Sequence, residues 1–349
     1  MIRVLIVGTG GMANQHAEAY AAMEDVQVVA GVDPNAANLH EFNAKHGITH
    51  AFDQVQDALD WGEFDAVSNV TPDAIHHRTT LPFLAAGKHV LCEKPLAANY
   101  EDAAEMASAA RAAGVVNMVN LTYRNVPALM QAAEMVAAGK IGDVRHFEAS
   151  YLQSWLTQPT WGDWRTEDQW LWRLSTAHGS MGVLGDVGVH ILDYATFAAG
   201  SDTARVSCRL KTFHKAENDQ IGIYPLDAND SMTMQLELEN GAVGVIHASR
   251  FASGHINDLC LRLFGTEGGL EVRFENEIST LRSCIGGDMM TGAWTDIAPD
   301  TIPTNYTRFI DAVRANSVIN PDFARGAALQ RVLDMAVKSD TDGSRDQVL

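Results

Sequence analysis

Residues 1–13 read MIRVLIVGTGGMA, an apolar run that breaks into a glycine-rich turn and then a segment of helical period. Gly8-Thr9-Gly10-Gly11-Met12-Ala13 fits the pattern G-x-G-x-x-G/A. Gly8 permits the tight turn, Gly10 lets a pyrophosphate approach the backbone, and the small Ala13 lets helix and strand pack closely. Glycine turns are common, so the flanking segments decide the fold.

Outward from the turn, short apolar runs alternate with helix-period segments: "RVLIVG", then 12–23; "VQVVAGV", then 35–46; "DAVSNV", then 73–86; "HVLC", then 99–113; and last "VVNMVNL". Runs that are apolar at consecutive positions suit parallel strands covered on both faces. The alternation predicts a doubly wound α/β sheet, which binds ligands at the carboxyl ends of its strands. Asp33 closes the second run, where a carboxylate can accept hydrogen bonds from the adenosine ribose of a dinucleotide; a turn aspartate before Pro34 is the alternative. A 2′-phosphate would meet negative charge there, and "DPNAAN" offers no arginine, which favours NAD over NADP. An S-adenosylmethionine site would use a similar turn and acid, so these two features leave the ligand open. Asn69, Thr71, Pro72 and His76 of "NVTPDAIHH" and Glu93, Lys94 and Pro95 of "CEKPLA" lie at further strand ends of the same edge. Pro95 keeps Lys94 out of helical conformation and aims it where a nicotinamide would lie; a solvated surface lysine is the alternative.

Past residue 143 the period changes. "SMTMQLELEN" alternates buried-type and polar residues, "CLRLFGTEGGLEVRF" reads as two strands around a glycine turn, and "DVRHFEASYLQS" and "ARVSCRLKTF" add strand candidates. These predict an α+β domain with a large, open, mostly antiparallel sheet and a helix over 182–199 on one face. The other face, with Arg205, Arg209, Lys211, Glu237 and Glu239, suits solvent or a polar oligomer interface. Amphipathic segments 303–316 and 325–338 close the chain. The expected domains are 1–122 and 123–349, with the last helices able to pack back on the first.

"LGDVGVHILD", residues 184–193, sets Asp186, His190 and Asp193 among apolar neighbours. On an α-helix they share an arc of about 60°. An isolated buried carboxylate costs several kcal/mol, so this strip needs partners, a metal or a wet cavity. One reading is a functional cavity. The other makes Asp186 an N-cap, His190 a satisfied core histidine and Asp193 the partner of an arginine. Five tryptophans between 155 and 173, interleaved with charges, suit either a polyol ring or else a packed loop or a subunit contact.

The 349 residues carry a net charge of −19, which excludes a nucleic-acid or anionic-membrane surface. The four cysteines have neither metal-ligand spacing nor a disulfide framework, and no run is long enough for a membrane span. A cytoplasmic protein is expected. Zinc is not, because no His/Cys cluster completes a set with Asp186, His190 and Asp193.

In order and spacing, "GTGGMA", Asp33, "NVTPDAIHH", "CEKPLA", "NLTYRNVPA", "GKIGDV", Trp172-Arg173 and "GDVGVHILD" resemble the glucose-fructose oxidoreductase / inositol dehydrogenase / MocA family across essentially the whole chain. The resemblance implies a Rossmann domain followed by an open-sheet domain, bound NAD, a sugar or cyclitol substrate, and a homodimer or homotetramer through the second domain. It implies cofactor contacts from Gly8, Thr9, Gly10, Gly11, Met12, Asp33, Asn69, Thr71, Pro72, His76, Glu93 and Lys94. Lys94, Asp186 and His190 fall on the catalytic positions; Tyr123, Arg124, Trp172 and Arg173, with Asp186 and His190, fall near the substrate. The polar strip would then face the cofactor cleft opposite Lys94. His190 or Lys94 would act as base on a secondary hydroxyl while hydride passes to nicotinamide, with Asp186 orienting His190 or binding a neighbouring hydroxyl. An NAD-dependent glycoside hydrolase working by transient oxidation and a non-catalytic dinucleotide- and sugar-binding regulator are the rival readings. A methyltransferase has no use for "EKP" and the histidine strip.

Overall fold

Six parallel strands, β1 (Ile2–Val7), β2 (Val26–Val32), β3 (His50–Phe52), β4 (Ala66–Asn69), β5 (His89–Cys92) and β6 (Asn117–Val119), lie in the order β3-β2-β1-β4-β5-β6 in the computed structural model, which describes residues 1–349. Strand order reverses beside β1, the place where such sheets bind ligands. Helices α1 (Gly11–Ala21), α2 (Ala36–His46), α3 (Val55–Trp61), α4 (His76–Ala85) and α5 (Tyr100–Ala113) connect them. The unbroken run Val4–Val7 is buried on both faces, each side chain contributing about 1.5–3 kcal/mol. Local chemistry sets the helix ends: Asn35 Oδ1 accepts from the amides of Ala37 and Asn38, Asn99 Oδ1 accepts from Asp102, and Gly47 and Gly114 end α2 and α5 in the left-handed region.

The alternating pattern of the sequence misses β3 and α3. "HAF" is three residues long and largely exposed, and "VQDALDW" buries only Ala58, so neither carries a readable apolar face.

Contacts between Cα atoms group Met1–Leu121 with Pro303–Gln330, and Thr122–Ile302 with Arg331–Leu349. In the first unit the helix Asn305–Ala315, capped by Thr304 Oγ1 on the Thr307 amide, brings Tyr306, Phe309 and Ile310 onto Val4, Leu91 and Met118.

The second unit contains α6 (Pro127–Ala137), β7 (Val144–Leu152), the single turn α7 (Asp168–Leu171), α8 (Val189–Ala199), β8 (Thr203–Lys211), a two-residue-stranded hairpin β9 (Gln220–Ile221) and β10 (Tyr224–Pro225), β11 (Ser231–Leu238), β12 (Val243–Ser249), β13 (Asp258–Gly265), β14 (Gly268–Glu275), β15 (Ile278–Ile285), β16 (Thr295–Ile297) and β17 (Gln347–Val348). Nine of these strands form one sheet, β16-β15-β14-β13-β7-β12-β11-β8-β17. In β11 the expected alternation holds: Met232, Met234, Leu236 and Leu238 are buried, and the residues between them face outward. Every pair is antiparallel except β7 with β12, which run side by side in parallel, Val243 opposite His146 through Ser249 opposite Leu152. That pairing needs a long crossover, and the chain between them supplies α8, which packs on β7, β12 and β13.

The stretch expected as one α-helix over 182–199 is broken instead by a π-turn, Leu184–Gly188, and runs on as α8 from Val189. A Cβ on Gly188 would stand 2.8 Å from Met232 Sδ, so glycine lets this widened turn sit on the sheet. No helix is long and apolar enough to cross a membrane.

Candidate active site

In the first unit, the carboxyl ends of β1, β2, β4 and β5 bring the expected residues to one edge. Gly8 has φ +84°, and a Cβ there would lie 2.8 Å from the backbone of Val70 and Thr71. A Cβ on Gly10 or Gly11 would meet nothing within 4 Å, and no side chain caps α1. An uncapped helix N-terminus behind bare glycine backbone is a fit cradle for a pyrophosphate, with Thr9 and Met12 flanking it. Asp33 Oδ2 accepts from Thr9 N (2.8 Å) and Thr9 Oγ1 (3.0 Å), and its Oδ1 accepts from Asn35 N (2.8 Å). The carboxylate therefore pins the glycine turn and its own turn together. With about four lone-pair positions it retains capacity for a ribose hydroxyl.

The next two strand ends are knitted internally. Asn69 is fully buried, donating to Thr79 and Thr80 and accepting from the Thr71 hydroxyl at 2.7 Å. Pro72 is exposed beside it. His76 is also fully buried, with Nδ1 2.9 Å from the Pro95 carbonyl and Nε2 2.7 Å from that of Thr71, so it staples the two cofactor-edge loops to each other. Glu93 turns inward to His16 Nε2 (2.9 Å) and Asn120 Nδ2 (2.6 Å). Burial pushes its carboxyl up, but the hydrogen bond and charge of His16, with Asn120 and Lys94, outweigh burial and hold it at about 2. Lys94 follows at the end of β5, half-buried.

In the second unit the three residues of the polar strip part company. Asp193 forms a buried pair with Arg124, the arginine-partner alternative for that residue. Asp186 lies within the π-turn rather than at a helix cap, one-third exposed, and Oδ2 accepts from Arg250 Nη2 at 2.8 Å. His190, on the first turn of α8, is 5% exposed and meets the edge of Tyr123, ring centroids 4.9 Å apart at 87°. Tyr123 pairs through its hydroxyl with Tyr151, which donates to Asn257 Oδ1 (2.9 Å); Gln153 Nε2 donates to both Tyr151 Oη (3.2 Å) and Asn257 Oδ1 (2.8 Å). With Tyr151 donating onward, Tyr123 is the donor in the tyrosine pair. Burial raises both phenols far above the ordinary tyrosine value, so both stay protonated as hydroxyl groups.

Arg250, Tyr151, Gln153 and Asn257 escape the sequence reading. "YLQSW" carried a signal: Tyr151, Gln153 and Trp155 recur at every second position where β7 ends, so they share a face. Arg250 carried none. Of the five tryptophans, Trp155 and Trp164 are core, and Trp161 and Trp170 pack on them with Leu156, Leu171, Leu174 and Leu226, which is the packed-loop alternative. Trp172 stands outside that cluster beneath the guanidinium of Arg173, 4.6 Å from its ring centroid. Burial lowers the pKa of Arg173, and Arg250 lowers it further, against the attraction of Asp186.

Residues 2–121 match the oxidoreductase family with an NAD-binding Rossmann fold, and residues 129–271 match the GFO/IDH/MocA C-terminal domain. A levoglucosan dehydrogenase of Pseudarthrobacter phenanthrenivorans is 28% identical over 78% of this chain and 74% of its own length. The scyllo-inositol 2-dehydrogenase (NADP(+)) IolU of Bacillus subtilis is 40% identical over 44% of this chain and 46% of its own. Among solved structures, levoglucosan dehydrogenase in complex with NADH superposes with a TM-score of 0.86 at 25% identity, covering 98% of both chains. With both stretches matched, the chain belongs to the GFO/IDH/MocA oxidoreductase family, whose NAD-binding Rossmann fold forms its first unit.

Proposed function

We propose that this chain is an NAD-dependent dehydrogenase that moves hydride between a secondary hydroxyl of a sugar, sugar derivative or cyclitol and nicotinamide. The observation that carries the reading is His190: an imidazole on a buried, largely apolar helix, facing a tyrosine pair with an amide wall behind it. Such a wall offers hydroxyl and amide groups to a polyol rim and ring faces to its C–H surface. The levoglucosan and scyllo-inositol activities named for relatives belong to the same substrate class.

On this reading the backbone of Gly8–Met12 holds the pyrophosphate and Asp33 the adenosine ribose. Asn69, Thr71, Pro72, His76 and Glu93 shape the edge that receives the rest of the dinucleotide. When bound, the dinucleotide supplies a hydride acceptor. His190 removes the hydroxyl proton, and the Lys94 ammonium hydrogen-bonds the same oxygen as negative charge builds on it. Asp186, steadied by Arg250, accepts from a neighbouring hydroxyl. Tyr123, Trp172 and Arg173 bound the sugar ring, and Arg124 holds its neighbour Tyr123 in place through Asp193. The negative charge of Asp33 favours NAD over NADP. We also assign the exposed face of the large sheet, where Val243 and Val245 lie uncovered, to a homodimer or homotetramer, and the protein, whose cysteines are all free, to the cytoplasm.

The test is a panel of anhydrosugars, aldoses and cyclitols with NAD, followed by the absorbance of reduced nicotinamide and by chromatography of the sugar. Accumulating NADH with an oxidised sugar is the expected result. Free sugar released from a glycoside without net NADH would replace the reading with glycosidic cleavage, and ligand binding without turnover would replace it with a regulator.

A further inference from the structure

His16 lies in the middle of α1, fully buried, and the proposed chemistry makes no use of it. Its Nδ1 is 2.7 Å from Ser68 Oγ on β4, and its Nε2 is 2.9 Å from Glu93 Oε1 at the end of β5. Tyr20, one turn further along the same face of α1, brings its hydroxyl to 3.2 Å from the same Ser68 oxygen. Glu93 Oε1 also accepts from Asn120, whose own Oδ1 accepts from Asn305 Nδ2 at 3.0 Å. Glu93 Oε2 accepts from the main-chain amide of Lys94 at 3.3 Å.

The hydrogen-bond accounting fixes a direction. A carboxylate only accepts, so Nε2 carries its proton toward Glu93. Nδ1 meets the Ser68 oxygen, which Tyr20 reaches as well, so both ring nitrogens have partners. A buried pair of this kind is a poor device for stability alone, because well-packed apolar residues often do as well or better. What it adds is connection. One end is the helix that opens behind the glycine cradle, and the other is the amide of Lys94.

We infer that His16 is a positioning residue: by holding Glu93 it fixes the main chain that presents Lys94, so that the cofactor-cradle helix and the end of β5 keep one register. The inference rests on the role given to Lys94 above. In this site Lys94 touches the reacting oxygen, and His16 acts through it.

The experiment compares His16→Leu, which fills the space without hydrogen bonds, with His16→Gln, whose amide can both donate to Glu93 and accept from Ser68. Each is made alone and together with Lys94→Ala. A misplaced catalytic group can cost on the order of 100-fold. His16→Leu is therefore expected to lower kcat by about 10- to 100-fold, while KM for the sugar and the NADH dissociation constant, read by nucleotide fluorescence, move less than about threefold. His16→Gln restores kcat to within about threefold of the parent. In the Lys94→Ala background, His16→Leu adds little further loss. Hydrogen–deuterium exchange across residues 90–97 quickens in His16→Leu and not in His16→Gln.

A His16→Leu protein with a lower Tm but unchanged kcat overturns the inference, as does a loss that multiplies with that of Lys94→Ala. If Lys94→Ala turns over like the parent, the role of Lys94 falls instead. The exchange rates then decide separately whether His16 holds the segment, and unchanged exchange overturns it.

Discussion

Arg124 and Asp193 form a two-pronged ion pair sealed from water, Nε to Oδ2 at 2.6 Å and Nη2 to Oδ1 at 2.9 Å, with 2% and 4% of the side chains exposed. The guanidinium also lies 3.3 Å from the ring centroid of Phe197. Its fork faces Asp193, so the pair ties the chain beside Tyr123 to α8. Asp193→Asn leaves a buried guanidinium without its counter-charge and should cost about 3–5 kcal/mol in urea unfolding. The double replacement Arg124→Met with Asp193→Leu should regain most of that loss. A single variant as stable as the parent would contradict the pair's structural role.

His190→Ala removes the proposed acid/base. A positioned proton-transfer group is worth roughly 10²- to 10⁴-fold, so kcat should fall by that factor, while NADH binding, governed by residues of the other unit, stays within about threefold. Turnover equal to the parent's would assign the base elsewhere, with Lys94 next in line.

The dinucleotide half was legible because its determinants are local. Gly8, Ala13 and Asp33 lie within one strand-turn-helix-strand unit, and "VQVVAGV" coincides residue for residue with β2. The second half was legible only as pattern. Period-2 alternation announced β11, but the β7–β12 parallel pair joins residues about a hundred positions apart, and no local signal encodes such a pairing. Asp186, His190 and Asp193 form one strip only on an unbroken α-helix. The π-turn and two distant arginines, Arg124 and Arg250, give each carboxylate its own partner. Glu93 and His76 lie at strand ends of the edge where the sequence places a cofactor, yet their side chains point into the protein, a distinction that only tertiary hydrogen bonds make.

Within the tryptophan loop, packing and binding should separate by substitution. Trp164 is core, so Trp164→Ala should cost about 3–5 kcal/mol of unfolding free energy. Trp172 lies outside that core, under Arg173. Trp172→Ala should raise the sugar KM severalfold with little change in Tm. The reverse pattern, with Trp172 governing stability, would remove it from the substrate wall.

Asp33 should govern cofactor choice through charge. Asp33→Ser keeps a short polar side chain near Thr9 and removes the repulsion toward a 2′-phosphate. The ratio of kcat/KM for NAD over NADP should fall at least tenfold, about 1.4 kcal/mol of discrimination. A parent enzyme that prefers NADP would refute this assignment before any variant is made.

Acid should weaken the first unit through Glu93. Its folded-state pKa, about 2, lies below the ordinary value of 4.5, because His16, Asn120 and Lys94 together overcome the opposing effect of burial. Above pH 4.5 the carboxylate is ionised in both folded and unfolded chains, and its contribution to stability is fully present. Below that the unfolded chain binds the proton first, so the contribution drains away as pH falls toward 2. The shift corresponds to about 3 kcal/mol in all, of which about 2 kcal/mol should disappear between pH 4.5 and about pH 3. Glu93→Gln cannot titrate there. Urea unfolding of both proteins over that range should show the gap between them narrowing by about this amount as pH falls. A gap that stays constant would mean that Glu93 is not held as a carboxylate, and the accounting that aims His16 Nε2 at it would lose its basis.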